Sequence, residues 1–226
     1  MTVKTPPSGP DTTHEHAVAW LRNAVVSGDL VPGQRVRQEE IAERIGVSVA
    51  PVREALRVLE GEGQLVYRPR RGYFVAELNI DDLIEIYELR QVLEERAARC
   101  ALAELDDEVI ERMARAADDC SAFAEAGDVT RQLDANRRFH FALFEAEENR
   151  HTVRLIRLLW DSTEAYRAMY YNVPRERRAV DQSHRRILGL VRARDPDRLI
   201  DELDAHRARA LATLGKILAR SGDSTA

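Results

Sequence analysis

His140, His184 and His206 are the residues whose type and spacing could share one piece of chemistry. Each lies on the apolar stripe of its own helical run: Leu133, Asn136, His140 and Leu143 in the first, Val180, His184, Ile187 and Val191 in the second, and Leu199, Leu203, His206 and Ala210 in the third. Asn136 stands one helical turn before His140. A single inward histidine is ordinarily a core residue satisfied by one hydrogen bond. Four inward nitrogen or oxygen groups need many separate partners, whereas one divalent cation satisfies them together. Spacing alone leaves both readings open. His14, His16 and His151 fall at or beside chain breaks and read as surface residues.

A second polar pair interrupts another stripe. Leu83, Ile86, Tyr87, Arg90, Leu93, Glu94, Ala97 and Ala101 recur at helical spacing, with Arg90 and Glu94 one turn apart. The plain reading is an i,i+4 ion pair. The alternative is that Arg90 points into a cavity and holds a carboxylate through its forked guanidinium. Tyr166, Arg167, Tyr170 and Tyr171 cluster on one run and read as partly surface or interface residues, with pocket lining as the alternative. Cys100 and Cys120 have no metal-ligand spacing and require no disulfide framework, which fits a reducing cytoplasm.

The elements that must position these groups are helical. Asn79 and Asp82 form a cap and an N3 acid that open a helix over 80–104, and further helices are predicted over 106–126, 128–147, 150–171, 175–194 and 196–220. Gly127-Asp128 reads as a stop followed by a new cap, and Asp195-Pro196 as a cap with proline at the first helical position. No strand-like alternation follows Val75. The back of the chain is therefore expected to be an all-α bundle of about six helices, with short antiparallel connections.

The front of the chain is organised differently. A helix is predicted over 14–27 from Ala17, Trp20, Leu21, Ala24 and Val25, and Val31-Pro32-Gly33-Gln34 suits a type II turn. Between Arg35 and Val75 the pattern is a short helix with Ile41, Ala42 and Ile45, a Gly46-Val47 turn, and a second helix with Val52, Leu56 and Leu59 inward. Ser48 stands at its N-cap and Pro51 in its first turn. Leu65-Val66-Tyr67 and Tyr73-Phe74-Val75 then flank Arg68-Pro69-Arg70-Arg71-Gly72, a hairpin tip with three arginines and no acid. An ordinary amphipathic helix followed by a solvated turn would explain either part alone. Together within 40 residues they read as a winged helix-turn-helix, a DNA reader. The contact set is expected to be Arg37, Gln38, Ser48, Val49, Ala50, Arg53, Arg57, Arg70, Arg71 and Gly72.

The whole is a mainly α chain of 226 residues with a formal charge of −5. Residues 1–78 are balanced in charge, so the deficit lies wholly in the remainder, and DNA contact would use local patches. Residues 1–13 carry three prolines and no apolar stretch, and with 221–226 they read as flexible tails. Domain boundaries are expected at 14–78 and 79–220. No apolar run approaches the ~20 residues of a membrane helix.

Residues 14–76 resemble the DNA-binding domain of the GntR family of bacterial regulators, through Pro32-Gly33, Ile41-Ala42, Gly46-Val47-Ser48, the run Pro51–Leu56 and Arg71-Gly72-Tyr73-Phe74-Val75. The family usually has Arg after the serine, where this chain has Val49, and often Ser or Asp where it has Arg37. Residues 80–220 resemble the FCD ligand-binding domain of the FadR-like branch, through the run Glu88–Glu94, Asn136-Arg137-Arg138-Phe139-His140, the run His184–Leu188 and His206. The resemblance implies a homodimer on an inverted-repeat operator and a divalent metal held by Asn136, His140, His184 and His206. It places zinc first, with nickel or manganese as alternatives. It also implies a small organic acid completing the metal's sphere beside Arg90, Glu94 and Asn136. In metal-binding relatives the first ligand is Asp or Asn, and Asn136 gives this site one negative charge fewer than Asp would. The expected function is a cytoplasmic, metabolite-responsive repressor rather than an enzyme. The alternatives are a regulator that senses the ion itself and a metal-dependent hydrolase.

Overall fold

Ala17, Leu21, Ala24 and Val25 recur on one face of α1 (Pro10–Ser27), and that face is buried. The computed structural model describes residues 10–77, 79–146 and 150–222. They divide into two compact units: Met1–Glu77 with Asp161–Ala165, and Leu78–Trp160 with Tyr166–Ala226. The expected tails, 1–13 and 221–226, lie outside the described residues except for 10–13 and 221–222. Those are helical, so the first helix opens earlier than the prolines suggest.

In the first unit β1 (Arg35–Val36) leads into α2 (Gln38–Ile45) and α3 (Val49–Gly61). Gly46 terminates α2 in the left-handed region at φ 71°, a conformation that costs glycine little, and its N–H returns to Ala42 and Glu43. Ser48 occupies the N-cap position of α3, but its hydroxyl accepts no bond from the first turn, contrary to the expected cap. Val52, Ala55, Leu56 and Leu59 are fully buried against α1, α2 and the sheet. Burying each leucine stabilises the unit by about 1.5–3 kcal/mol. The Val31–Gln34 turn forms, with Gln34 N–H donating to the Val31 carbonyl at 3.0 Å and Gly33 at φ 79°.

The wing is β2 (Leu65–Arg68) and β3 (Gly72–Val75), antiparallel with Tyr67 opposite Tyr73. It is larger than a hairpin: β1 pairs with the other edge of β3, Arg35 opposite Phe74, giving the order β1-β3-β2. Two residues carry no readable alternation, which is why the third strand escapes a sequence reading.

The rest of the described chain forms helices only: α4 (Ile80–Ala103), α5 (Asp107–Ala126), α6 (Val129–Phe144), α7 (Arg150–Ser162), α8 (Glu164–Tyr171), α9 (Pro174–Ala193) and α10 (Pro196–Gly222), with Asp161–Ala165 at the α7–α8 break counted in the first unit. Asn79 and Asp82 form a reciprocal capping box on α4, at 2.9 and 3.0 Å. Gly127 ends α5 at φ 72° and Asp128 caps α6. The expected count of about six becomes seven among the described residues, because the run 150–171 breaks at Thr163. Ser162 and Thr163 are poor helix formers whose hydroxyls compete for backbone groups. Met113, Phe139, Leu143, Ile156, Ile187 and Leu203 belong to one contiguous core that fixes the stripes of α6, α9 and α10 inward.

Candidate functional sites

The nucleic-acid face is built on α3 and the wing tip. With Val52 and Leu56 committed to the core, helical geometry turns Ala50, Arg53 and Arg57 outward, and all three are exposed. Arg53 Nε donates weakly to Gln38 Oε1 at 3.4 Å, Arg57 pairs with Glu54 at 3.0 Å, and Arg37 pairs with Glu40 at 2.8 Å. Exposed pairs of this kind are worth about 0–1 kcal/mol, so a phosphate can displace the carboxylate. Val49 is half-buried and leans on the core of its unit, which leaves it little reach outward.

At the wing tip Arg71 N–H donates to the Arg68 carbonyl at 2.9 Å around Pro69-Arg70. Arg70 sits at φ 64°, where a type II turn ordinarily takes glycine or asparagine. Holding a residue with a Cβ there costs about 1–2 kcal/mol. That cost presents an exposed guanidinium at the extremity of the wing. Arg68 and Arg71 lie over the Phe74 ring at 4.6 and 5.5 Å, which orients both cations. Gly72, at φ 88°, closes the tip. Arg53→Ala is expected to weaken operator binding by about 1–3 kcal/mol if the side chain reads a base edge, or to reduce the salt slope by about one if it neutralises a phosphate. Fluorescence anisotropy across a salt series separates the two, and an unchanged isotherm would remove Arg53 from the interface.

The second site lies inside the helical unit. His140 on α6, His184 on α9 and His206 on α10 each offer a ring nitrogen, and the three atoms lie within 4.8 Å of one another. Asn136 Oδ1 is 3.1 Å from His184 Nε2. His140 Nε2, His184 Nδ1 and His206 Nδ1 are sealed from solvent with no hydrogen-bond partner among the described residues; His206 is only half-buried as a residue, but that nitrogen is buried. Burial, reinforced by neighbouring positive charge, holds all three rings neutral. His140 and His184 lie well below the ordinary imidazole value, and burial with Arg90 and Arg207 pushes His206 down to about 4. Neutral imidazole is the ligand form. Two nitrogens at 2.0–2.1 Å from a tetrahedral zinc lie about 3.3–3.4 Å apart, so the widest pair would close by roughly 1.4 Å as the ion is bound. The donor set fits a divalent ion.

Beside it lies a cavity of about 30 Å³ lined by Asn136, His140 and His206 together with Tyr87, Arg90, Glu94, Trp160 and Arg207. The ion pair read from the sequence is present: Arg90 Nε donates to Glu94 Oε1 at 2.8 Å with both residues buried. Arg90 lines the cavity as well, and its Nη1 has no partner among the described residues. The sequence reading missed two further partners of Glu94. Arg207 Nη1 donates to Oε2 at 2.6 Å and Trp160 Nε1 to Oε1 at 2.7 Å. Arg207 also pairs with Asp204. Burial alone would raise the Glu94 carboxyl, but Arg90 and Arg207 more than offset it and hold the group ionised. The signal for Arg207 was its place one turn beyond Leu203 on the α10 stripe. Arg167 lies over the Trp160 ring at 4.4 Å. Tyr166, Arg167, Tyr170 and Tyr171 are all buried, and all but Tyr166 line the cavity, which corrects the surface reading.

Residues 13–75 match the bacterial regulatory proteins of the gntR family, and residues 85–209 match the FCD domain. The chain belongs to the GntR family and carries an FCD domain. It is 30% identical over 183 residues to the Nta operon transcriptional regulator of Aminobacter aminovorans, covering 80% of this chain and 84% of that one. It is 23% identical over 208 residues to the transcriptional repressor GlaR of Escherichia coli, covering 90% and 86%. Its fold is that of E. coli McbR/YncC, with a TM-score of 0.79 over 90% of this chain and 97% of that one, at 24% identity. These relatives of the GntR regulator are transcriptional regulators rather than enzymes. The chain is accordingly a transcriptional regulator of this family, and no helix among its described residues is long and apolar enough to cross a membrane.

Proposed function

We propose that this GntR regulator is a metabolite-responsive repressor whose helical domain holds a divalent ion and a small carboxylate beside it. The observation that carries the reading is the convergence of ring nitrogens of His140, His184 and His206 within 4.8 Å, in a cluster where each ring has a buried nitrogen with no partner among the described residues. Separate hydrogen bonds do not satisfy them, and one cation would. Asn136, His140, His184 and His206 are the holding residues, and a donor set of three imidazoles and one amide oxygen favours zinc or nickel over manganese. The ion supplies a Lewis acid to which a carboxylate oxygen can bind. Arg90, with one guanidinium nitrogen turned to the same cavity, orients the ligand and offsets its charge.

The route to DNA is along the chain itself. The wing ends at Val75, and α4 begins at Ile80 and carries Tyr87, Arg90 and Glu94 to the cavity wall. A ligand that shifts this helix changes the orientation of the reader attached to it. In a cytoplasmic homodimer on an inverted repeat, two such shifts change the spacing of two α3 helices. Effector and operator affinities are then reciprocally linked, with a coupling of about 1–3 kcal/mol, or roughly 5–150-fold.

The small cavity favours one second reading, in which the ion is itself the signal. About 30 Å³ holds roughly one water, so an organic acid must displace part of the wall as it enters. The deciding experiment is operator affinity of the purified chain with chelator, with zinc, and with zinc plus succinate, accompanied by elemental analysis. A change only with succinate supports the metabolite reading, and a change with zinc alone supports the ion sensor. Absence of any stoichiometric divalent ion after zinc dialysis would overturn both.

A further inference from the structure

We propose that Asn136 sets the charge of the ligand, so that the cavity takes a compact dicarboxylate dianion rather than a monocarboxylate; this rests on the metal-and-carboxylate reading above. The amide oxygen of Asn136 and the rings of His140, His184 and His206 are all uncharged donors, so an ion among them keeps both of its positive charges. Among the described residues the only carboxylate lining the cavity is that of Glu94, and both of its oxygens are engaged. Oε1 accepts from Arg90 Nε and Trp160 Nε1, and Oε2 accepts from Arg207 Nη1. Asp204 takes the other terminal nitrogen of Arg207. Arg90 and Arg207 are thus balanced by Glu94 and Asp204 within their own cluster, and none of that negative charge is left for the ion.

The wall leaves room for about one water, so solvent cannot screen the excess, and an uncompensated charge in such a place is costly. A monocarboxylate returns one charge of the ion's two. A dicarboxylate returns both, and gives its second group to Arg90 Nη1, a buried donor on a cavity-lining residue with no partner among the described residues. Fork-shaped guanidinium is suited to that end of the ligand.

The test is calorimetric titration of the full-length zinc-loaded chain at neutral pH with succinate and malonate against butyrate and acetate. In the wild type the dicarboxylates are expected to bind at least about tenfold tighter, the low end of what one charge within 4–6 Å is worth. Asn136→Asp returns one negative charge to the donor set, so it should tighten zinc and shrink the preference by about tenfold or reverse it. Equal binding of butyrate and succinate by the wild type overturns the proposal. So does an unchanged preference in Asn136→Asp that still binds zinc. If the variant does not fold, the wild-type ratio alone decides. A wild-type chain that takes up no zinc defeats the metal reading itself, and this inference with it.

Discussion

Glu94→Ala should destabilise the helical unit by about 3–5 kcal/mol, because it leaves Arg90 and Arg207 as unpaired buried charges. Glu94 is 2% exposed, Arg90 4% and Arg207 5%, so solvent is not on hand to replace the lost carboxylate. Its removal also strips the hydrogen bond from Trp160 Nε1, a buried donor. The loss therefore exceeds the value of the contacts in isolation. Urea unfolding followed by circular dichroism and tryptophan fluorescence measures it. A second variant makes the cause visible. Replacing Arg90, Glu94 and Arg207 together by Met or Leu removes the charges along with their partner and should restore most of the stability, since buried ion triads exchange for apolar packing at little cost. A Glu94→Ala loss under about 1 kcal/mol would mean that water reaches the guanidinium groups.

That triad also marks the limit of what spacing can tell. Arg90 and Glu94 were legible as a pair because they lie one turn apart on one helix, and the stripes of α6, α9 and α10 turned His140, His184 and Asn136 inward as expected. Stripe arithmetic works where a helix has one wet face. It fails on α8, an eight-residue helix whose Tyr166, Arg167, Ala168, Tyr170 and Tyr171 are all buried, leaving no polar face from which to take a phase. Arg207 is 113 positions from Glu94, and a pairing across that distance is decided by how α10 packs on α4. The winged unit was more legible, since turns carry local chemistry. Gly33, Gly46 and Gly72 occupy positive-φ positions the sequence pattern needed. β1, two residues long and defined solely by its partner strand, was beyond that kind of reading, and the expected Ser48 cap and the start of α1 were misjudged as well.

The histidine cluster should make the chelated protein lose stability as pH falls from about 6.5 toward 4. The sign follows from the lowered folded-state values. Above about 6.5 neither folded nor unfolded imidazoles bind protons, and the neutral cluster contributes in full. Below it the unfolded chain takes up protons that the buried rings refuse, so unfolding gains. For His206, held down to about 4, the deficit reaches about 3 kcal/mol before the folded ring itself protonates. His140 and His184, also held well below the ordinary imidazole value by burial, extend the loss in the same direction. Glu94, held below its ordinary value by two arginines after burial is offset, adds its share only at lower pH. Urea midpoints from pH 7.5 to 5 in chelator measure the slope, and His206→Gln should flatten part of it. Zinc at 100 times its dissociation constant should add about 2.7 kcal/mol at pH 7.5. That increment should persist down to about pH 5, where the folded rings are still unprotonated, and fade as pH approaches 4 and protons compete for the ligand nitrogens. A midpoint that does not move between pH 7.5 and 5 would show that the rings are not held neutral. They would then be poor ligands as well, because the burial that depresses their protonation is the same burial that leaves them unpartnered for an ion.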